Sequence, residues 1–557
     1  MYDSWGSASE RFADGTICLG IDLGTTNSCV GMWYVDRNHV KIFKNRLNRG
    51  RTTPSVVHFD PTSQSVDVGQ AAIDLETSEP VGNTIRSIKR LMGQKYESKA
   101  TDVARIYASY EVAPTAQKNV AVQLVRGHKK VQVQPEEVSA YILTELKTSA
   151  EAYFDGQTRL NNVVITVPAY FSDAQRKATI TSALMAGFKA VRLLNEPTAA
   201  AMAYGLFLSG TKLVTVFDFG GGTLDVSLLR IQDGKFEVLG IGGDTNLGGE
   251  DINNLVLDHV LEVLNKRHNV IRSQVTGADL VRLKQEVEKL KIQLSVEESA
   301  DVIVRDLAGV PRVTVTLTRR KFEQLCDPIW KKCLRIMSSV LKEAQVDAAD
   351  MDEVILVGGS TRIPCLRSKI SKAFHGKELC MSVNADEVVC EGAAIQAAIL
   401  SGIDQRVFRD VLMMDVLPLP IGLETADGTM EVILPRNARI PTTVTKYFTT
   451  YEDNQRGITI EVYEGEKDIA KENDHICYFN FALPRNKIGK AGEYSHPVTF
   501  TMNASGILQV QAGIHHDLEE SPMTKTAIFI MGAYIFALFA FYVFFRIYFV
   551  NERDITT

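Results

Sequence analysis

Short apolar runs and longer amphipathic stretches alternate along the chain from Thr16 to about Ile403. The apolar runs are rich in β-branched and aliphatic residues and end at glycine or proline; they are ICLGIDLG, NVVITVPAYF, KLVTVFDFGGGTLDVSLLRI and DEVILVGG. Between them, apolar residues recurring at steps of three and four predict helices over 136–154, 173–187 and 279–294. This alternation predicts an α/β domain over residues 16–403.

The pattern changes after Ile403. The segment DQRVFRDVLMMDVLPLPIGLET contains a short apolar run followed by Pro418 and Pro420, which makes it too short and too proline-rich for a core helix. We therefore predict a linker at 404–419. Residues 420–513 alternate apolar and polar positions in short runs, with turns at DNQRG, EGEKD and NASG, which predicts a compact β-sandwich. No internal repeat of fixed period is visible in the sequence.

The run from Thr526 to Phe545 contains no charged side chain. A helix of about 20 residues rises about 30 Å, the thickness of the hydrocarbon layer of a bilayer. This predicts a transmembrane helix over 526–550, preceded by a juxtamembrane spacer at 514–525 and followed by a short tail at 551–557. A buried core helix is the alternative, which the aromatic density and the lack of a charged face disfavour.

The N-terminus lacks the basic and apolar regions of a signal peptide. We therefore expect a tail anchor that is inserted after translation and leaves the preceding domains in the cytosol. The tail NERDITT is not basic, which favours the endoplasmic reticulum over the mitochondrial outer membrane. The 8 cysteines include no C-x-x-C pair, which indicates reduced thiols and agrees with a cytosolic face.

Length and charge narrow the function classes. A chain of 557 residues exceeds the size of a single hydrophobic core, so two or three domains are expected. The 61 Lys and Arg residues against 67 Asp and Glu give a net charge of -6, with no basic block along the chain. A nucleic-acid partner is therefore not expected.

Two strand-to-turn segments share one pattern, from Gly20 to Thr26 and from Asp218 to Asp225. In each, an apolar strand is followed by an aspartate, glycine and threonine. Glycine exposes backbone N–H groups to phosphate oxygens, aspartate holds Mg²⁺ through its water shell, and threonine adds donors. Either segment alone is also compatible with an ordinary glycine-rich turn. The occurrence of both favours a phosphate and Mg²⁺ site.

Two further segments have groups suited to a nucleoside. In ILVGGSTRIP, glycine lets the backbone approach a base or ribose, on which Arg362 can stack. On the last predicted helix, Glu288, Lys291 and Ser295 fall at steps of three and four and share one face. An ordinary surface ion pair is the alternative for that face.

The motifs, in this order, resemble those of the 70-kDa heat-shock protein (Hsp70) chaperones of the actin-like ATPase superfamily. They are GIDLGTTNS, SIKRLMG, VITVPAYFSDAQRKA, LNEPTAAAMAYG, FDFGGGTLDVS, LGGEDI, EKLKIQLS, ILVGGSTRIP and NADE…EGAAIQAAIL. The resemblance covers residues 16–403, continues through the linker and the sandwich, and stops near Ala512. It implies an α/β actin-like ATPase domain of two lobes and a peptide-binding β-sandwich, to which this chain adds the predicted C-terminal transmembrane helix.

The resemblance also implies a site for ATP or ADP with Mg²⁺, and K⁺ as a further candidate ion. The positions that match catalytic residues are Asp22, Lys89, Glu196, Asp218 and Thr223. Among these, Asp22, Asp218 and Glu196 match the Mg²⁺ ligands, largely through water. The positions that match nucleotide-binding residues are Gly24, Thr25, Thr26, Gly220, Gly221, Gly222, Thr223, Asp225, Glu288, Lys291, Ser295, Gly358, Gly359, Ser360, Arg362 and Asp386. The implied reaction is hydrolysis of ATP to ADP and phosphate, driven by positioning and charge neutralisation.

The linker and sandwich extend the resemblance. Leu412, Met413 and Met414 stand where the family has an aliphatic run, which implies that ATP binding docks the linker and opens the peptide site. The positions that match peptide-binding residues are Leu423, Ala426, Phe448, Tyr451, Ile458 and Ile460. The alternative is that they only fill the sandwich core. The implied partners are unfolded or nascent polypeptides, a J-domain co-chaperone, a nucleotide exchange factor and, through the C-terminal helix, a membrane.

Three departures from the family pattern stand out. Pro420 replaces a serine, and the loop from Lys487 to His496 is longer, with His496 where an aliphatic pocket residue is expected. The apolar terminus stands where the family has its helical lid. We therefore expect a lidless, tail-anchored member that releases peptide faster than lidded relatives.

The expected function is that of an ATP-dependent chaperone, which binds and releases unfolded polypeptide segments at a membrane surface. The alternative is a nucleotide-regulated, membrane-bound co-chaperone or adaptor without a productive peptide cycle. A small-molecule kinase on the same fold is a third hypothesis. It is disfavoured because the linker and the sandwich would then have no role.

Overall fold

The computed structural model describes residues 17–78, 80–154, 158–206, 208, 210–425, 427–483 and 488–512. The predicted spacer, transmembrane helix and tail lie outside the described residues, as does Ala426. Among the helices of the described ranges, none is both long enough and apolar enough to cross a bilayer.

The first lobe contains the N-terminal glycine-rich turn. Its elements are β1 (Cys18–Asp22), β2 (Asn27–Tyr34), β3 (His39–Ile42), β4 (Thr53–Pro54), β5 (Val56–Phe59), β6 (Val66–Val68), α1 (Gln70–Asp74), β7 (Thr84–Arg86), α2 (Lys99–Tyr107), β8 (Glu111–Pro114), β9 (Val120–Arg126), β10 (Lys129–Val133), α3 (Pro135–Tyr153), β11 (Asn162–Val167), α4 (Asp173–Met185), β12 (Ala190–Asn195) and α5 (Glu196–Gly205). Its main sheet has the order β12-β11-β1-β2-β3, and β4 pairs with β2. The β12-β11-β1 part is parallel and the rest is antiparallel.

The second lobe contains the other glycine-rich turn. Its elements are β13 (Thr211–Phe219), β14 (Leu224–Gln232), β15 (Lys235–Asp244), α6 (Gly249–His268), α7 (Gly277–Gln293), β16 (Ser299–Leu307), β17 (Val310–Thr318), α8 (Arg319–Leu325), α9 (Asp327–Glu343), β18 (Glu353–Val357) and α10 (Pro364–Ala373). The next helix, α11 (Val388–Leu400), packs against β1, β2 and α5 of the first lobe. The antiparallel strands β13, β14 and β15 follow one another in the sheet, and β18 pairs with β13 in parallel. Each lobe has its own large apolar core.

The predicted helices are confirmed as α3, α4 and α7, with ends that differ by about two residues at most. Local sequence explains their starts. The Ser172 side chain accepts a hydrogen bond from the Gln175 N–H, and the Gln175 side-chain oxygen accepts one from the Ser172 N–H, which is a capping box at the start of α4. Thr276 and Asp279 form the same arrangement at the start of α7.

The described residues after the two lobes form mainly strands, with short 3₁₀ helices at Arg406–Phe408 and Ala470–Glu472. The strands are β19 (Leu412–Val416), β20 (Ile421–Glu424), β21 (Met430–Leu434), β22 (Arg439–Ile440), β23 (Thr442–Thr449), β24 (Gly457–Glu464), β25 (Asp474–Ala482), β26 (Ser495–Met502) and β27 (Leu508–Ala512). One sheet has the order β21-β20-β24-β25 and another has the order β23-β26-β27. Strand β19 lies in the predicted linker and extends the sheet of the second lobe to β18-β13-β14-β15-β19-β22.

The chain divides into two compact units. The described residues of the larger unit comprise both lobes and β19, as far as Val444, together with Gly457–Leu483 and Phe500–Gln509. The smaller unit comprises Thr445–Arg456 and the described residues of 484–499 and from Val510 onward. Inside the smaller unit, the Oγ1 atoms of Thr445 and Thr499 lie 3.0 Å apart.

Candidate functional site

A cleft of about 640 Å³ in the larger unit brings the glycine-rich turns of both lobes together. Of the predicted catalytic and nucleotide-binding residues, all but Asp225 line it: Asp22, Gly24, Thr25, Thr26, Lys89, Glu196, Asp218, Gly220, Gly221, Gly222, Thr223, Glu288, Lys291, Ser295, Gly358, Gly359, Ser360, Arg362 and Asp386. Sequence reasoning missed Asn27, Thr52, Ile292, Val296 and Arg367, which also line it. Ile292 and Val296 were detectable, because they neighbour Lys291 and Ser295 and are apolar residues that fall outside the apolar stripe of α7.

Close packing of the two glycine-rich turns explains why glycine occupies them. A Cβ atom on Gly221 would lie 2.0 Å from Thr26 Oγ1, and one on Gly222 would lie 2.3 Å from Thr25 Oγ1. Both distances are far below a van der Waals contact. The turns of the two lobes therefore meet only because no side chain separates them.

We expect Gly221→Ala to weaken ADP binding by about tenfold or more, because the added methyl group must push the Thr26 hydroxyl and its turn away from the second lobe. Isothermal titration calorimetry measures this affinity. Gly82→Ala is the matched control, since its Cβ would meet its nearest atom at 3.7 Å. Equal affinities of both variants and the parent chain would show that the contact between the turns does not shape the site.

A lysine and a glutamate face each other at the closed end of the cleft. Lys89 Nζ donates to Glu196 Oε1 at 2.5 Å, and both side chains are more than nine-tenths buried. Lys89 lies in the 3₁₀ helix Ile88–Leu91, and Glu196 is the first residue of α5. The positive charge of Lys89 therefore lies beside the glycine-rich turns, whose backbone N–H groups are the expected phosphate donors.

Aspartates surround this pair, and burial changes their acidity. It raises the pKa of the Asp22 carboxyl to about 7; the negative charge of Glu196 adds to this effect, and Lys89 opposes it. The pKa of Asp218 is also raised well above its ordinary value, first by burial and then by Glu196. The pKa values are raised because these carboxyl groups are buried and outnumber the lysine beside them.

Asp225 lies behind the cleft rather than on its wall. It is 1% exposed, and its Oδ1 accepts the Tyr170 N–H at 3.1 Å. Burial, with Glu196, raises its pKa to about 7. Its Oδ2 is buried and has no hydrogen-bond partner among the described residues.

A cluster of carboxyl oxygens on the wall of the cleft fits Mg²⁺, which prefers carboxylates and water. Asp22, Asp218 and Glu196 are the residues on the wall that would hold it.

The other end of the cleft has the groups predicted for a nucleoside. Arg362 pairs with Asp386 through two contacts of 3.1 and 2.8 Å. Ser360 Oγ donates to Gly220 O at 2.8 Å, and Lys291 Nζ lies 3.4 Å from Gly249 O. The Ser360 contact joins the turn after β18 to the glycine-rich turn of the second lobe, and the Lys291 contact joins α7 to the start of α6.

Comparison with known proteins decides the family. The family model described as "Hsp70 protein" matches residues 18–528. The chain belongs to the Hsp70 family. Similar relatives include "Heat shock 70 kDa protein" of Neurospora crassa, 41% identical over 497 residues that cover 89% of this chain and 75% of the relative. "Heat shock cognate 70 kDa protein 3" of Dictyostelium discoideum is 40% identical over 503 residues, 89% of this chain and 78% of the relative. Hsp70 proteins are ATPases with a chaperone function.

In this Hsp70, the linker is part of the ATPase-domain sheet. Leu412, Met413 and Met414 pair in parallel with Lys235, Phe236 and Glu237 of β15. Asp415 follows and is 8% exposed; its Oδ2 accepts hydrogen bonds from Asn195 Nδ2 at 2.9 Å and Thr198 Oγ1 at 3.2 Å. The linker therefore contacts both lobes.

The sandwich segments of the larger unit also contact the ATPase domain. The Asp173 N–H at the start of α4 donates to Glu464 Oε2 at 3.0 Å, and the Leu508 N–H donates to Asp173 Oδ1 at 3.2 Å. The buried Arg176 donates to Ser505 O at 3.3 Å and to Asn195 Oδ1 at 2.9 Å. In this arrangement, called docked below, the linker and these sandwich segments both lie against the ATPase domain.

Three of the predicted peptide-binding residues share one face of the β21-β20-β24-β25 sheet. Leu423 lies opposite Val462 on β24, and Ile458 and Ile460 precede Val462 at steps of two. All three are less than 8% exposed. This burial is expected both if they form the floor of a peptide pocket and if they only fill the sandwich core. Phe448, half-buried, and Tyr451, 75% exposed, belong to the smaller unit. His496, also in that unit, is buried in β26.

Proposed function

We propose that this Hsp70 hydrolyses ATP and couples hydrolysis to the binding and release of unfolded polypeptide segments at a membrane surface. One observation carries the coupling: β19 adds the linker to the sheet whose β13–β14 turn lines the cleft. Groups that would contact nucleotide and groups that connect to the sandwich therefore belong to one continuous sheet.

The residues of the cleft support hydrolysis. Asp22, Asp218 and Glu196 would hold Mg²⁺, largely through water, and the ion would neutralise negative charge on the phosphates of a bound nucleotide. The backbone N–H groups of the glycine-rich turns bind phosphate oxygens. Lys89 counters the negative charge on the leaving γ-phosphoryl group, while Glu196 and the aspartates orient the attacking water. Arg362, Glu288 and Ser295 hold the nucleoside.

The partners follow from the family. Unfolded or nascent polypeptides would bind the sandwich by main-chain hydrogen bonds with one apolar side chain in a pocket. A J-domain co-chaperone and a nucleotide exchange factor would drive the cycle. The alternative is an adaptor that binds nucleotide without a productive peptide cycle.

Peptide-stimulated ATP turnover separates the two hypotheses. We expect a short apolar peptide to raise the steady-state ATPase rate, and Asp415→Ala to abolish most of this stimulation, because it removes the carboxylate that binds Asn195 and Thr198. Asp410→Asn is the matched control, since Asp410 lies on the same linker but is exposed. Intact nucleotide binding without any stimulation of the parent chain would favour the adaptor.

The uncharged run from Thr526 to Phe545 supports the membrane location. We propose a single-pass anchor over 526–550 in the endoplasmic reticulum membrane, with the ATPase domain in the cytosol. Imaging of the chain with and without residues 524–557, combined with protease protection, tests this. Full protection of the ATPase domain in intact membranes, or unchanged membrane location after the deletion, would contradict it.

A further inference from the structure

Arg90 reaches from the first lobe to the glycine-rich turn of the second lobe. It follows Lys89 in the 3₁₀ helix Ile88–Leu91, and its side chain is 10% exposed. Its Nε and Nη2 both donate to the backbone oxygen of Gly222, at 3.1 and 2.7 Å. A guanidinium group thus binds a main-chain carbonyl in the loop between β13 and β14.

The orientation of this guanidinium is itself fixed. Its Nη1 donates to Asp251 Oδ1 at 3.2 Å, and its Nη2 also contacts Asp251 Oδ2. Asp251 Oδ2 accepts the Gly248 N–H at 2.7 Å, which caps the start of α6. Charge-assisted bonds of this kind are stronger and more directional than bonds between neutral groups. Arg90 is therefore held where it meets the Gly222 carbonyl.

The neighbouring carbonyls of the same loop are also turned away from the cleft. Gly220 O accepts the Gly249 N–H at 2.9 Å, and Gly221 O accepts the Glu250 N–H at 2.8 Å. In a trans peptide the N–H points opposite to the C=O. Binding of the carbonyls of Gly220, Gly221 and Gly222 therefore directs the next N–H groups, those of Gly221, Gly222 and Thr223, toward the opposite side, where this loop lines the cleft.

The donors that bind these three carbonyl groups come from different lobes. The N–H groups of Gly249 and Glu250 belong to the second lobe, as the loop does. Arg90 belongs to the first lobe. The peptide between Gly222 and Thr223 is therefore the one whose orientation depends on a contact across the cleft.

We propose that Arg90 is a positioning residue that completes the phosphate-binding loop when the lobes close. It orients the Gly222–Thr223 peptide so that the Thr223 N–H faces the terminal phosphates of a nucleoside di- or triphosphate. Closure of the lobes and formation of the full set of phosphate donors are then one event. The inference rests on the proposed binding of ATP in this cleft.

Ligands with and without phosphates test this role. With the full chain in detergent and Mg²⁺ present, we expect Arg90→Met to weaken the binding of ADP and ATP by about tenfold or more and to leave the affinity for adenosine unchanged. Isothermal titration calorimetry with the three ligands gives the comparison. Unchanged adenosine affinity also shows that the variant is folded.

Two other variants and one control refine the test. Asp251→Asn removes the charge that orients Arg90 and should weaken ADP binding less than Arg90→Met does. The double variant should bind ADP about as weakly as Arg90→Met alone. Arg90→Lys keeps the charge but loses the fork of two donors, so an intermediate loss is expected. Arg105→Met is the matched control, because Arg105 pairs with Asp102 in the same lobe, away from the loop.

The outcomes are distinct. Unchanged ADP affinity in Arg90→Met, or an equal loss of ADP and adenosine affinity, would overturn the positioning role while leaving the proposed ATPase function in place. If the parent chain binds adenosine but neither ADP nor ATP, the proposed ATPase function fails and the inference fails with it.

Discussion

Lys89→Met is expected to slow the hydrolysis of bound ATP by about 100-fold or more. Lys89 is 5% exposed and is the cation among Asp22, Glu196 and Asp218, so its removal leaves the charge of the departing phosphoryl group without a counter-charge from the first lobe. Methionine keeps the length and most of the packing. Single-turnover hydrolysis of pre-bound ATP measures the chemical step separately from binding.

The matched control is Lys95→Met, a nearby lysine of the same lobe that is exposed and donates to Asn119. It should hydrolyse ATP at the parent rate. Binding of ATP by Lys89→Met should change much less than its hydrolysis rate, because the turn N–H groups and the nucleoside contacts remain. A parent-like hydrolysis rate in Lys89→Met would remove this lysine from the reaction.

Docking of the sandwich on the ATPase domain is expected to strengthen as the pH falls from about 7 toward 4.5. Glu464 is 5% exposed at the contact with α4. Its pKa is raised from 4.5 to about 7, mainly by burial and further by the negative charges of Asp173 and Asp474. The hydrogen bond from the Asp173 N–H and the positive charge of Arg176 lower this pKa and so oppose the shift. Lys177 pairs with Asp173 at the same place.

The sign follows from proton uptake. An undocked, solvated Glu464 has the ordinary pKa of 4.5, so the docked state binds the proton more tightly. Between pH 4.5 and 7 docking takes up a proton, and the docking equilibrium weakens by up to about tenfold per unit of rising pH. Below 4.5 both states are protonated, and the dependence ends.

Energy transfer between genetically encoded fluorophores in α10 and β21 measures docking across this range. Docking of Glu464→Gln should depend much less on pH than docking of the parent chain, because its amide is always neutral. Glu431→Gln, on an exposed position of β21, is the matched control and should keep the parent profile. A parent chain whose docking does not change between pH 5 and 8 would contradict the assignment of the proton to Glu464.

Local chemistry was enough to predict the parts of the site that consist of short segments. The strand-to-turn pattern around Asp22 and Asp218 identified both glycine-rich turns, because tight turns next to phosphates demand glycine and hydroxyl residues. The periodicity of α7 placed Glu288, Lys291 and Ser295 on one face, and the structure brings that face to the same cleft.

Contacts between distant residues were not predictable from one sequence. Glu464 meets Asp173 across a separation of 291 positions, and neither residue stands in a local pattern that indicates a partner. Asp225 shares the motif of Asp218, but the antiparallel turn places it on the far strand, behind the wall of the cleft. Arg90 stood beside Lys89 in the motif SIKRLMG, where only the lysine was recognised.

The architecture also repeats where the sequence does not. Each lobe begins with a strand, a glycine-rich turn and an antiparallel strand, β1–β2 and β13–β14. Different sets of apolar residues can form the same strand or helix, so the backbone arrangement repeats although the sequence does not. For this reason no internal repeat is visible in the sequence.

When the three-residue pairing of β19 with β15 breaks, the edge of β15 is exposed. Once the linker leaves, β15 becomes an edge strand whose backbone N–H and C=O groups can pair with another extended chain, including that of a neighbouring molecule. Charged residues on an edge oppose such pairing. Lys235 and Glu237, at two of the three paired positions, are residues of this kind. These charged residues of β15 therefore oppose self-association of the chain when the linker is undocked.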